Sequence, residues 1–111
     1  DMIEEIIQNY LRENAFPCYL SVPEKPSGSF CVLEKTGSGY KDGIFTATLA
    51  VQSYGSSDYA AAQLSHRVVQ TMLDADTLPE IVSCTLNTDY NFPDTTRKLP
   101  RYQAVFDVVH Y

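Results

Sequence analysis

Residues 44–54, IFTATLAVQSY, put Phe45, Ala47, Leu49 and Val51 on one side of an extended chain and Thr46, Thr48 and Gln52 on the other. An alternation this long describes a strand with one face in a core and the other in water. That is the situation of an antiparallel sheet covered on a single side. Such a strand spans about 36 Å, roughly twice the usual length. Residues 30–36, FCVLEKT, are rich in aromatic and branched side chains and read as its partner. The resulting hairpin, residues 30–54, is expected to bend or to project beyond the body. Residues 37–43, GSGYKDG, read as the loop that joins the two strands.

The remaining chain supplies what such a sheet needs. Met2, Ile3, Ile6, Ile7, Tyr10 and Leu11 recur at three- and four-residue steps, which predicts an amphipathic helix ending near Asn14. Glu4 and Glu5 suit its first turn, and Pro17 forbids continuation. Residues 18–22 read as a short strand, and the Pro- and Ser-rich residues 23–29 as a turn. Ser56 or Ser57 is expected to cap a second helix with Ala61, Leu64, Val68 and Met72 as its apolar stripe, closed by Leu78-Pro79. Residues 81–92 and 101–111 alternate as two further strands. The order α-β-β-β-α-β-β predicts an α+β fold: a mostly antiparallel or mixed sheet with both helices packed on one face.

With 111 residues, of which 44% are hydrophobic, residues 1–111 form one domain with a core of its own. Eight Lys and Arg against fourteen Asp and Glu give a net charge of −6, which opposes the counterion release that drives binding to a phosphate backbone. Tight nucleic-acid binding is not expected. No apolar run approaches the roughly 20 residues of a membrane span. Asp1, Glu4 and Glu5 stand where a signal peptide would be basic, which points to the cytosol. Asp1 ahead of Met2 reads as a tag remnant, with Met2 as the natural start.

The residues that could carry chemistry are scattered. Cys18, Cys31 and Cys84 are odd in number, widely spaced and without a C-x-x-C, so they read as buried small hydrophobes. His66 and His110 have no ligand at metal-binding spacing, and no nucleophile elbow occurs. No catalytic, metal or cofactor residue is nominated, and the chain reads as a non-enzyme without a cofactor. The loop at 37–43 joins two strands instead of opening a helix, which argues against a phosphate cradle. It is either a flexible tip or a contact loop in which Tyr40 supplies aromatic area and Lys41 and Asp42 supply charge. Arg97, Lys98 and Arg101 gather three of the eight cations in and beside residues 93–100. They form either a solvated face or a docking patch for acidic groups, including those of another copy.

Nearly the whole chain resembles the tail terminator, or tail completion, proteins of long-tailed bacteriophages. The resemblance is carried by Val22-Pro23-Glu24, by FCVLEKTG at 30–37, by LAVQSY at 49–54 with the following helix, by YNFPD at 90–94 and by PRYQAVFDV at 100–108. None of these segments is a catalytic signature. The resemblance implies a virion protein at the head-tail interface, assembled in the host cytoplasm. Its subunits would form a ring, commonly of six copies, that caps the tube of major tail protein, stops its growth and offers a surface to the head-completion proteins. DNA would pass through without being held. Ring closure needs one patch to meet a different patch on the next copy. The hairpin is the nominated arm, with Tyr40 or Phe45 as its anchor. A head-tail connector, and a small α+β ligand-binding or enzymatic domain, are the alternatives.

Overall fold

The computed structural model describes residues 2–111, so the reading of Asp1 lies outside the described residues. The elements are α1 (Ile3–Glu13), β1 (Cys18–Tyr19), β2 (Phe30–Lys41), β3 (Ile44–Tyr54), α2 (Asp58–Met72), β4 (Ile81–Asn91) and β5 (Arg101–His110). The strands form one sheet in the order β1-β2-β3-β5-β4. β1 runs parallel to β2, and every other pair is antiparallel. The α+β class and the order of elements are those predicted from the sequence.

Local chemistry sets the helix ends. α1 buries Ile3, Ile7 and Leu11 along one stripe and carries Glu4 and Glu5 in its first turn. It stops because Ala15 turns into the left-handed region at φ 69°, letting Ala15 N–H donate to Arg12 O and Phe16 N–H to Leu11 O, both at 3.0 Å. This pair of bonds satisfies carbonyls that a helix end otherwise leaves free. At the start of α2, Ser57 Oγ accepts from Ala60 N–H at 3.1 Å. Ala61, Leu64, Val68 and Met72 face inward, as their spacing predicts. α2 ends at Met72, and a 3-10 turn at Ala75–Thr77 leads to Leu78 and Pro79.

Both helices share one core. Ile7 and Leu11 of α1 and Leu64, Val68 and Met72 of α2 pack on Cys31, Leu33, Leu49, Val51, Ala104, Phe106 and Val108 of the sheet. Fully burying each large side chain here contributes about 1.5–3 kcal/mol. The reverse face carries a small second core of Phe30, Val32 and Tyr54 beneath Val22 and Leu99. Its uncovered part is tied by polar pairs such as Gln52 Nε2 donating to Gln103 Oε1 at 2.9 Å.

Three expectations are corrected. The segment 37–43 is not a loop: β2 runs on through Gly37, Ser38, Gly39 and Tyr40 to Lys41. Gly37 and Gly39 lie opposite Thr48 and Thr46, where the strand needs no side chain, so glycine does not break it. The hairpin is also not a free projecting arm, because β5 accompanies β3 from Tyr54 out to Phe45. Finally, the first strand is two residues long instead of 18–22, since Pro23 and Pro26 remove main-chain donors just beyond it.

Candidate self-association surface

The tip of the hairpin is built by Asp42 (φ 54°) and Gly43 (φ 83°). Two successive left-handed residues make the tight turn that matches the twist of paired strands, and Asp-Gly suits it. Lys41 and Asp42 therefore sit at the extreme end of the sheet. Behind them Tyr40 packs on Phe45 with ring centroids 4.6 Å apart, and Phe45 stacks on His110 at 5.5 Å. Register explains the row: Tyr40 is opposite Phe45, and Phe45 is opposite His110. The three rings share the face that the helices cover further along, but they lie beyond the cover. Tyr40 is 64% and Phe45 42% exposed. They line an open groove of about 450 Å³ with Met2, Ile3, Glu4, Ser38 and Tyr111. At its rim Lys35 Nζ lies 3.8 Å from Glu4 Oε1.

The second nominated cluster has a different character. Asp94 is only 4% exposed. Its carboxylate accepts from Tyr54 OH at 2.9 Å, from Arg97 N–H at 3.0 Å and from Arg97 Nη1 at 3.2 Å, with Arg101 Nη1 3.8 Å away. Burial opposes the charge, yet the donors from Arg97 and Tyr54 and the charge of Arg101 outweigh it and hold the carboxyl below its ordinary 3.8. Arg101 also donates to Phe92 O at 2.6 Å and lies over the Phe92 ring at 4.4 Å. Arg101, 14% exposed, faces inward onto Asp94, and Arg97, half exposed, reaches it from the rim; together they lock the turn that contains the Asp94↔Leu99 bridge. Among the described residues Lys98 has no acidic partner and is the unpaired cation that this loop offers to solvent, beside the half-exposed Arg97. Its φ of 56° shows how tightly the loop closes.

The seven nominated residues therefore form two groups, not one. Tyr40, Lys41, Asp42 and Phe45 are together at one end of β3, and Arg97, Lys98 and Arg101 are at the other, about 30 Å away. Tyr111 at the first group, and Tyr54 and Asp94 at the second, carry no site signal in the sequence, while His110 reads there only as a histidine without ligands and Met2 only as part of the apolar stripe of α1. The alternation of residues 101–111 signalled only that His110 shares a face with Phe106 and Val108. Its place beside Phe45 needs the pairing of β3 with β5.

The sheet also leaves two edges open. β1 pairs with β2 at Cys31 and Val32, a parallel ladder that also engages the N–H of Leu33, so among the described residues 34–41 have no outer neighbour. Among the described residues β4 has none along its length, and Val82, Leu86 and Tyr90 on it are exposed. Exposed edges of this kind are sites of strand addition unless guarded. The three cysteines are free and buried. Burial pushes the Cys18 thiol up to about 11 and those of Cys31 and Cys84 to about 12. His66 lies on α2 beside Arg67, and the groove it lines with Ala62 and Gln63 is separate from the one at His110.

These features describe an α+β domain whose distinctive chemistry lies on edges and exposed rings. The sequence matches no family model, and no curated protein matches it.

Proposed function

We propose that this chain is a ring-forming structural subunit of a long-tailed bacteriophage. It would cap the finished tail tube, end tube polymerisation and present the surface to which the head is joined. The observation that carries the reading is the β2–β3 hairpin, whose outer edge is open from residue 34 to the tip and whose end bears the solvent-facing rings of Tyr40 and Phe45. An open edge offers main-chain hydrogen bonds to another chain, and exposed rings at its end offer an anchor. The partners are further copies of the chain, six in the resembling family, together with the tail-tube protein and a head-completion protein. The net charge of −6 suits a passage for DNA, because it repels phosphate weakly instead of holding it.

The test is mass in solution, measured by light scattering over a concentration series with and without purified tail-tube protein, and electron micrographs of the mixture. Closed rings that cap tube ends support the reading. A monomer under every condition overturns it.

A ligand-binding or enzymatic domain is favoured by one observation, the gathering of Glu4, Ser38 and His110 around the 450 Å³ groove. Against it, Glu4 is turned to Lys35, and the His110 ring is stacked on Phe45 with Nδ1 3.0 Å from the Tyr111 main-chain oxygen. A rise in melting temperature with a small metabolite, abolished by His110→Ala, would favour this second reading.

A further inference from the structure

The two open edges fit one another. In an antiparallel pair, alternate residues turn their N–H and C=O toward the partner and the others turn them away. On β2 the outward residues follow from Cys31, whose N–H donates away from β3 to Pro17 O at 2.8 Å. Counting along the strand, they are Leu33, Lys35, Ser38 and Tyr40, with a step of three where the bulge at Thr36 adds a residue. On β4 the count starts from Phe92, whose N–H donates inward to Arg101 O at 2.9 Å, and from Ile81, whose N–H donates outward to Leu78 O at 3.1 Å. The outward residues there are Asn91, Asp89, Leu86 and Cys84, with a step of three at the Asn87 bulge. Both edges therefore repeat the same broken spacing of two, three and two.

Direction and facing agree as well. β2, β3, β5 and β4 reverse at each step, so β4 runs opposite to β2. A second copy that continues the sheet, with its helices on the same side, thus presents β4 antiparallel to β2. All eight outward residues point to the helix side. Leu33, Lys35, Ser38 and Tyr40 are opposite Val51, Leu49, Ala47 and Phe45, while Asn91, Asp89, Leu86 and Cys84 are opposite Tyr102, Ala104, Phe106 and Val108.

We propose that the open edge of β2 in one copy pairs with the β4 edge of the next, in the register that sets Lys35 against Asp89, Ser38 against Leu86 and Tyr40 against Cys84, with Asn91 reaching the end of β1 beside Leu33. This register aligns the two bulges, forms about six main-chain hydrogen bonds and places an ammonium opposite a carboxylate. It also brings Tyr40 diagonally over the exposed Leu86. A slip of one residue would turn every side chain to the wrong face, and a slip of two would separate the bulges. Lys35 and Lys41 guard β2 against a second β2, and Asp89 repels a second β4, so the contact is head-to-tail.

The inference deepens the ring reading and rests on it for closure. β1 and the incoming β4 share one strand width beside β2, so each copy adds four. Six copies give a wall about 115 Å around and about 37 Å across at the backbone, wider than a DNA duplex.

The test mixes Lys35→Cys with Asp89→Cys under mild oxidation. The native thiols stay silent at neutral pH because they are buried and protonated. A disulfide-linked dimer from the mixture, and none from either variant alone, is expected. Lys35→Glu or Asp89→Lys should each raise the concentration for half-association about tenfold; Asp89→Lys should do so with melting temperature unchanged, whereas Lys35→Glu also sets a second carboxylate beside Glu4 and lowers it somewhat. The double variant should restore it. Cross-linking by Asp89→Cys alone would overturn the register in favour of two facing β4 edges. Closed rings that neither cross-link nor respond to charge reversal would overturn the register and leave the ring. The expected cross-link in open filaments would keep the register and overturn the ring. A protein that stays monomeric and uncross-linked at every concentration overturns both.

Discussion

Asp94→Ala tests whether the arginine-rich turn is a structural lock or a docking patch. The substitution removes the acceptor of Tyr54 OH, of Arg97 N–H and of the Arg97 guanidinium, and leaves the Arg101 charge, whose side chain is 14% exposed, without its carboxylate. Deleting one member of a buried ion pair costs about 3–5 kcal/mol. Here Arg97 is half exposed and turns to water, so the lower figure of about 3 kcal/mol applies. In a domain this size each kcal/mol moves Tm by about 4–8 °C, so a fall of about 12–24 °C is expected. Asp94→Asn keeps an acceptor and should lose about half as much. Because the folded carboxyl lies below its ordinary 3.8, its stabilisation is complete above that value and disappears as pH falls through the folded one. Wild-type Tm should therefore drop steeply below about pH 4, and Asp94→Ala should lack that part of the drop. Calorimetric or circular-dichroism melts from pH 7 to pH 2.5 measure both. A loss under about 1 kcal/mol, or an unchanged acid slope in the variant, would refute the lock and return Arg97 and Arg101 to the surface as candidates for docking.

Other outcomes follow from single positions. Ala15→Gly should stabilise the chain by about 0.5–1 kcal/mol, because Ala15 holds a left-handed φ of 69° at the helix end; a denaturant midpoint that falls would contradict this. Gly55→Ala should destabilise by about 2 kcal/mol or more, since a Cβ there would lie 2.6 Å from Ala61 N at the start of α2. Chemical denaturation reads the change, and a neutral result would mean that α2 shifts freely. Tyr40→Ala removes a ring that is mostly exposed, so it should lower stability by no more than about 1 kcal/mol while weakening self-association, as sedimentation would report. Equal loss of both would assign Tyr40 to the fold alone.

What the sequence determined is everything that repeats over a few residues. The period of two in β3, the stripes of α1 and α2 and the Ser57 cap are set by covalent geometry and by which side chains leave water, so the α+β class and the element order could be read directly. The turn between the strands of the hairpin was legible as well, but residues 37–43 read as a loop because Gly37 and Gly39 look like turn residues, and only the pairing of β2 with β3 shows the strand running on to Lys41. Tertiary structure decided the rest, because it depends on residues far apart in the chain. Tyr54 and Asp94, 40 positions apart, meet only after β3 and β5 pair, and that meeting draws Arg97 and Arg101 onto one carboxylate. The row of Tyr40, Phe45 and His110, and the two edges with their matched bulges, likewise exist only once register is fixed. Local alternation states which face a residue takes; it carries no information about which strand lies beside it, or whether any strand does.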